Sequence, residues 1–596
     1  MTRQTTYLRL ATAVFVSLAL SLLGCGSTTG NDAANDTAPG SDAASASDGA
    51  DTSGSGGAST GHTSGTGGAT DSGNTSATEG AVSTTTGGCV SGIPVTSQVP
   101  RLLNREYDAI IHDLLGISGL TAEGGLPPSS LLHADYEGEL NIYSWNGYME
   151  AANRIAEQVM TGDQRSRFMG CDPTLDDNCY EDTIRSFGRK IFRRPLMEPE
   201  VHRFMALTVA DASWTPEQIS EAILFAFLTS PSFILVPELS AEPEGSAFRR
   251  SNHEIATRLS LMLWGSAPDD ELHQAADQGQ LTTREQIRAQ AERMILVRDK
   301  AGPQVSRAHE YYLRIAQGGS IWWSATHDPS RFPDFTDASK LALQGEVAAY
   351  FEEVAYEGGS FQDIFLSNIA FVNRDSAALY GLDPSEYDTG LTRVELDATK
   401  RPGIFTRAGF LSSFSNYDAT NPIRRGSFLA IYVFGVNPGP PDPDFIMPRV
   451  PSGEYTTQRE KVEALTTADA SCAACHELIN PPGYVLETFD AVGSWQDTDP
   501  LGGPIDPTAD VTFADGSVRT MGSALELMQA IAADPMARHL YAQNLVSFFT
   551  GREPNGYDMC MVGEIATKLA FDGYHLLDVL VDLTQSDSFR LRIVGN

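Results

Sequence analysis

Cys472-Ala473-Ala474-Cys475-His476 places two thiols one helical turn apart, with an imidazole directly after the second. This C-x-x-C-H spacing is the attachment motif for c-type haem. Two thiols on one turn add to the two haem vinyl groups. The adjacent histidine then lies beneath the ring and ligates the iron. Three other chemistries use the same residue types. A zinc site needs about four ligands, and only one pair is clustered here. A thioredoxin-like redox pair wants a βαβ setting, and none is visible around it. A disulfide over so short a loop is strained. The expected use is one covalent haem c, with Cys472 and Cys475 as anchors and His476 as proximal iron ligand.

The residues downstream suit a pocket for such a group. A carbonyl of Pro481 or Pro482 is expected to orient the ring of His476, because ligating histidines use their second nitrogen in this way. Tyr484, Leu486, Phe489 and Trp495 are candidate walls, although each is equally a candidate for ordinary core. For the sixth iron position Met521, Met528, Met536 and His539 lie at plausible distances along the chain. Met521, which follows the Asp515-Gly516 turn, is favoured as the metal ligand, against the general expectation that a methionine is core. A methionine there raises the potential and closes the site for electron transfer, whereas an open position admits oxygen or peroxide chemistry.

The chain has seven cysteines. Cys171 and Cys179 bracket an Asp-rich loop and are expected to form a local disulfide. Cys89 and Cys560 are then left over, and pairing them would staple the start of the folded body to its last helices. Cys25 belongs to a different setting. Arg3 and Arg9 precede an apolar run from Leu10 to Leu23, too short and interrupted to span a membrane. It ends Leu22-Leu23-Gly24-Cys25, which resembles a bacterial lipobox, with Cys25 as the lipidated residue. Among the arginines, Arg193, Arg194, Arg424 and Arg425 sit beside structure breakers. They read either as partners for carboxylates or haem propionates or as structural salt bridges.

These residues must be positioned by a folded body, and composition bounds it. The chain is 596 residues long, with 77 acidic and 41 basic side chains and a formal charge of −36. That balance argues against nucleic acid as a partner and for repulsion from anionic membrane surfaces, so membrane contact is expected through the N-terminal lipid only. Residues 26–88 are Gly, Ser, Thr, Ala and Asp with scarcely any large apolar side chain. They cannot bury enough surface to offset chain entropy and are expected to form a disordered tether. Beyond residue 100 the apolar spacing is helical. Leu102, Leu103, Tyr107, Ile110, Ile111, Leu114 and Leu115 form one stripe that Gly116 stops. Thr215-Pro216-Glu217-Gln218 is a helix start, as is the pair Thr282 and Glu285. A helix from about Ala338 to Tyr356 ends at Gly358-Gly359, and the last sixty residues read as two more. No run of short strands with hairpin turns is visible. The expected fold is mainly α. It is a multi-lobed helical body with a C-terminal cytochrome c-like haem region, after a disordered N-terminal tether. The divisions run 1–25 for the signal and lipobox, 26–88 for the linker, 89–240 and 241–385 for two helical domains, 386–520 for the haem-binding region and 521–596 for a last helical domain.

The motifs also resemble a known family. Arg101-Leu-Leu-Asn-Arg-Glu-Tyr107 with His112-Asp113-Leu-Leu-Gly116 is similar to the opening of a large bacterial family, common in planctomycetes and myxobacteria, built of adjacent domains of unknown function (the DUF1587, DUF1595, DUF1592, DUF1588 and DUF1585 series). Phe192-Arg-Arg-Pro-Leu196 resembles its second block. Leu259 to Gly265, Pro268 to Leu272, Phe371-Val-Asn373 and Leu379-Tyr-Gly381 resemble the third. Arg401-Pro-Gly403, Asn421-Pro422, Arg425-Gly426, the Cys472–His476 motif and Phe489-Asp490 resemble the fourth, and Phe549–Arg552 with Ser586–Phe589 the last. The opening block is abbreviated. The resemblance implies a cytochrome c-like region and an exported location, and supplies no reaction.

The functional expectation is an exported haem c lipoprotein of the cell envelope, facing the periplasm or cell surface, that passes electrons to a redox partner. A cytochrome c needs only about a hundred residues, so the remaining helical body should recognise that partner or a substrate. Two alternatives stand beside it: a haem-dependent oxidoreductase on an organic or polymeric substrate, and a non-redox surface scaffold.

Overall fold

Helix starts are legible in this chain because side chains accept the first free N–H groups. The computed structural model describes residues 95–96, 99–120, 142–315, 326–439 and 453–594. The signal segment with Cys25, the linker over 26–88 and Cys89 lie outside the described residues. The first helices are α1 (Asn104–Leu115), α2 (Ile142–Thr161), α3 (Cys179–Ile191) and α4 (Pro216–Leu228). Gly116 ends α1 in the left-handed conformation at φ 73°, a position glycine takes without strain. Thr215 caps α4: its hydroxyl accepts from Gln218 N, and Gln218 Oε1 accepts from Thr215 N at 2.8 Å. The four apolar faces meet in one hydrophobic cluster that includes Tyr107, Ile111, Tyr148, Phe187 and Phe227.

The rest of the body follows as α5 (Asn252–Trp264), α6 (Arg284–Ile295), α7 (Arg298–Tyr312) and α8 (Asp337–Tyr356). Next come α9 (Pro422–Phe428), α10 (Gln458–Thr466), α11 (Ala470–Ile479) and the single turn α12 (Pro481–Tyr484). The last are α13 (Ala524–Ala533), α14 (Pro535–Thr550), α15 (Met559–Lys568) and α16 (Leu576–Leu583). The cap of α6 is Thr283 with Gln286, one residue later than the expected Thr282 and Glu285. The sequence offers both pairs, and Gln286 Oε1 accepts from the backbone of Thr282 and Thr283 alike, both at 3.0 Å. The last sixty residues hold three longer helices and the single turn Asp587–Arg590 rather than two helices, because a turn at Gly551–Tyr557 and another at Phe571–His575 divide the apolar stretch. One continuous cluster collects apolar side chains from Ile255 on α5 to Phe589 near the end, so residues of the central, haem-binding and C-terminal divisions share a core.

The fold is mainly α, with small sheets that the sequence did not announce. One has the order β1 (Val95–Thr96), β8 (Leu591–Val594), β3 (Ala247–Arg249), β2 (Glu242–Glu244). β1 runs parallel to β8 with Val95 opposite Ile593, and β3 runs antiparallel to β8. Two antiparallel pairs complete the set: β4 (Ile369–Val372) with β5 (Thr392–Glu395), and β6 (Ala509–Thr512) with β7 (Val518–Met521). Where the sequence shows no run of short strands with hairpin turns, the structure has two short hairpins: β2–β3, and β6–β7, which turns at Asp515-Gly516. Strands of two to four residues are too short for alternation to be read.

Candidate functional site

Asp469 begins the site. Its carboxylate accepts from Ser471 N at 2.8 Å and caps α11, which carries Cys472 and, one turn on, Cys475 and His476. Cys472 is buried, Cys475 is half-buried, and both thiols are free. Cys475 Sγ lies 3.5 Å from the carbonyl oxygen of Pro438. The disulfide alternative for this pair therefore does not hold in the structure. Among the described residues no group of three or more His, Cys, Asp or Glu side chains is placed to hold a bare metal ion.

The histidine is oriented by a residue the sequence reading missed. His476 Nδ1 is 3.0 Å from Asn480 Oδ1, one turn further along. Asn480 Nδ2 lies 3.1 Å from Thr466 Oγ1 and 3.2 Å from the Tyr484 hydroxyl. Thr466 gives its own proton to Val462 O at 2.8 Å. Its oxygen must therefore accept from Asn480, which turns the carboxamide oxygen toward His476. The imidazole then carries its proton on Nδ1 and presents a lone pair at Nε2. The expected carbonyl of Pro481 or Pro482 does not do this work, because Asn480 Oδ1 holds the Nδ1 of His476. The signal available in the sequence was the i, i+4 spacing of His476 and Asn480, which puts both on one helix face.

The helix is seated by two glycines. A Cβ on Gly426 of α9 would lie 2.0 Å from Ile479 O, and one on Gly483 of α12 would lie 2.0 Å from Pro422 O. Only glycine permits this approach of α9 to the end of α11. Beside Gly426, Arg425 is fully buried. Its guanidinium donates to Leu486 O at 3.1 Å, Phe489 O at 2.8 Å and Ser415 Oγ at 2.9 Å, fixing the segment after α12. Glu487 faces it at 3.8 Å and accepts from Thr420 Oγ1 at 2.7 Å. Burial outweighs Arg425 and pushes the Glu487 carboxyl up to about 7.

The remaining predicted residues are placed as follows. Leu486 and Phe489 are core, Tyr484 packs beneath Asn480, and Trp495 stands edge-on to Phe489. Met521 is 3% exposed, opposite Ala509 in the hairpin, and Met528 is 0% exposed in α13. Met536 and His539 are half-buried on the first turns of α14. Arg193 donates to the carbonyls of Phe233 and Leu235, and Arg194 pairs with Glu200 at 2.8 Å, so both serve structure. Arg424 is exposed. Cys171 and Cys179 are joined by a disulfide. Cys560 is disulfide-bonded, and its expected partner Cys89 lies outside the described residues.

Chemically, α11 offers two free thiols one turn apart and an imidazole whose open nitrogen is fixed by its neighbours. That donor set fits a covalently held haem. Four sequence models, each described as a protein of unknown function, match successive parts of the chain: DUF1595 over 179–238, DUF1592 over 251–382, DUF1588 over 401–499 and DUF1585 over 519–589. No curated protein and no solved structure matches it.

Proposed function

Since this chain belongs to the multi-domain DUF1595, DUF1592, DUF1588 and DUF1585 series of unknown function, which assigns no reaction, we propose from the site itself that it is a haem c protein of the cell envelope that transfers electrons. The observation that carries the reading is His476, held by Asn480 with Nε2 presented beside two free thiols. Cys472 and Cys475 hold the haem and His476 ligates its iron. The haem supplies a one-electron couple, and the chain fixes the imidazole that tunes it. The short name of the matching DUF1588 model, PSCyt3, points the same way. The Leu22-Leu23-Gly24-Cys25 segment supports export and lipid anchoring at Cys25, with the run over 26–88 as tether. Among the described residues no helix is long and apolar enough to cross a membrane.

The test is residues 89–596 expressed in a periplasm that matures haem c, run on a denaturing gel and stained for haem. Wild type should keep its haem through denaturation, and Cys475→Ala should lose stable covalent attachment. Full staining of that variant, or a colourless, well-folded wild type, overturns the reading.

A further inference from the structure

Resting on the haem reading, we propose that α14 supplies the second axial ligand and that this ligand is the thioether of Met536. One short segment connects the proposed haem anchor to a candidate ligand. The π-helical turn Leu429–Val433 packs against α11, and the chain leaves it through Gly435 to Pro438. At one end of this segment the carbonyl of Pro438 touches Cys475 Sγ at 3.5 Å. At the other end Gly435 receives Met536: a Cβ there would lie 2.7 Å from Met536 Cγ and 3.1 Å from Sδ. Gly435 also sits at φ +71°, so both its backbone and its missing side chain suit this approach. Four residues thus link the proposed haem anchor to one particular thioether.

The competing methionines are occupied otherwise. Met521 and Met528 are enclosed in the main hydrophobic cluster, so using either thioether as an iron ligand would remove it from that core. Met536 is half-buried, at the first turn of α14, with a flexible side chain that can turn from packing to ligation. His539, one turn on, is the nearest rival on the same face. Its ring has no hydrogen-bond partner among the described residues, and a ligating imidazole is normally oriented by one.

The experiment compares wild type with Met536→Ala, Met521→Ala and His539→Ala, all as haem-matured protein. Covalent haem is read by stain, spin state by optical and paramagnetic resonance spectra, and access to iron by carbon monoxide binding. Wild type should be six-coordinate and low-spin. Met536→Ala should keep full haem staining, turn high-spin, admit carbon monoxide at least about tenfold more tightly and show a lower reduction potential, since a methionine ligand raises it. Met521→Ala and His539→Ala should leave the spectrum unchanged. A low-spin Met536→Ala, a five-coordinate wild type, or loss of the ligand in His539→Ala overturns the assignment while leaving the haem in place. A wild type without covalent haem removes the haem reading itself and this assignment with it.

Discussion

Asn480 controls which nitrogen of His476 is free, and it does so through a chain of donors that ends at Val462 O. An acceptor on Nδ1 makes the imidazole a stronger donor to iron, and a charged acceptor strengthens it further. If haem is held as proposed, Asn480→Ala should therefore retain its thioether links and raise its reduction potential, because a weaker imidazole stabilises the ferric state less. Asn480→Asp should lower it. Spectroelectrochemistry of the two variants beside wild type checks this, and shifts of the same sign in both would defeat it. At this scale the sequence showed the reactive residues plainly: Cys472, Cys475 and His476 sit where a single helical turn puts them. It did not show their support. The partners of Asn480 lie on α10 and α12, and the register between helices is set by packing that no local pattern records.

At the scale of elements, the seating of α11 depends on the crossing of α9 over the end of α11 and α12, where backbone meets backbone. Gly426→Ala would drive a methyl group onto Ile479 O and Asn480 O, in a place where neither carbonyl can retreat without breaking its helix. Overpacking of this kind costs about 1–3 kcal/mol or more. It should lower the thermal midpoint and displace Asn480 from His476. Gly563→Ala is the matched control. Gly563 lies inside α15 with nothing within 4 Å of a built Cβ, so alanine there should add about 0.5–1 kcal/mol through helix propensity alone. Thermal melts of both variants give the comparison, and equal midpoints would remove the steric argument. Some helix starts were legible because a cap such as Thr215 is local chemistry, although at α6 the cap is Thr283 rather than the expected Thr282. The crossings were not, because a glycine needed for contact looks the same in sequence as one that ends a helix.

For the whole molecule, the successive family blocks do not behave as beads. His309 on α7 lies 2.7 Å from the Tyr541 hydroxyl on α14, and Tyr311 meets Ser547 at 3.0 Å. Glu346 on α8 accepts from the Tyr380 hydroxyl at 2.6 Å, and that oxygen accepts from Ala408 N at 2.9 Å. The fully buried Arg407 donates to Ile369 O at 2.9 Å and Ser367 O at 3.0 Å. A cleft brings Arg105 and Glu106 of α1, Arg258 of α5, Phe549 of α14 and Phe589 together, residues nearly five hundred positions apart. Sequence periodicity gives the helices but cannot reveal such joints, since each is made by partners distant in the chain. The consequence is specific. Residues 386–520, which hold every proposed haem anchor, keep Arg407 with Arg401 O and Thr406 Oγ1 but lose its acceptors Ile369 O and Ser367 O. They keep the ring contacts of Phe405, Phe410 and Phe434 with Phe428, Phe414 and Phe513 but lose the part of the shared core that α5 to α8 and α13 to α16 contribute. An unsatisfied buried polar group costs about 1–3 kcal/mol, more when charged, against a total stability of about 5–15 kcal/mol for a domain. The fragment 386–520 expressed alone should therefore lack a cooperative thermal transition and near-ultraviolet circular dichroism, whereas residues 89–596 should show both. A sharp, reversible melt of the isolated fragment would mean that its haem region is an autonomous cytochrome after all. The helical body would then be free to evolve around it; a fragment that fails to fold ties any change at the proposed haem site to α7, α8 and α14 as well.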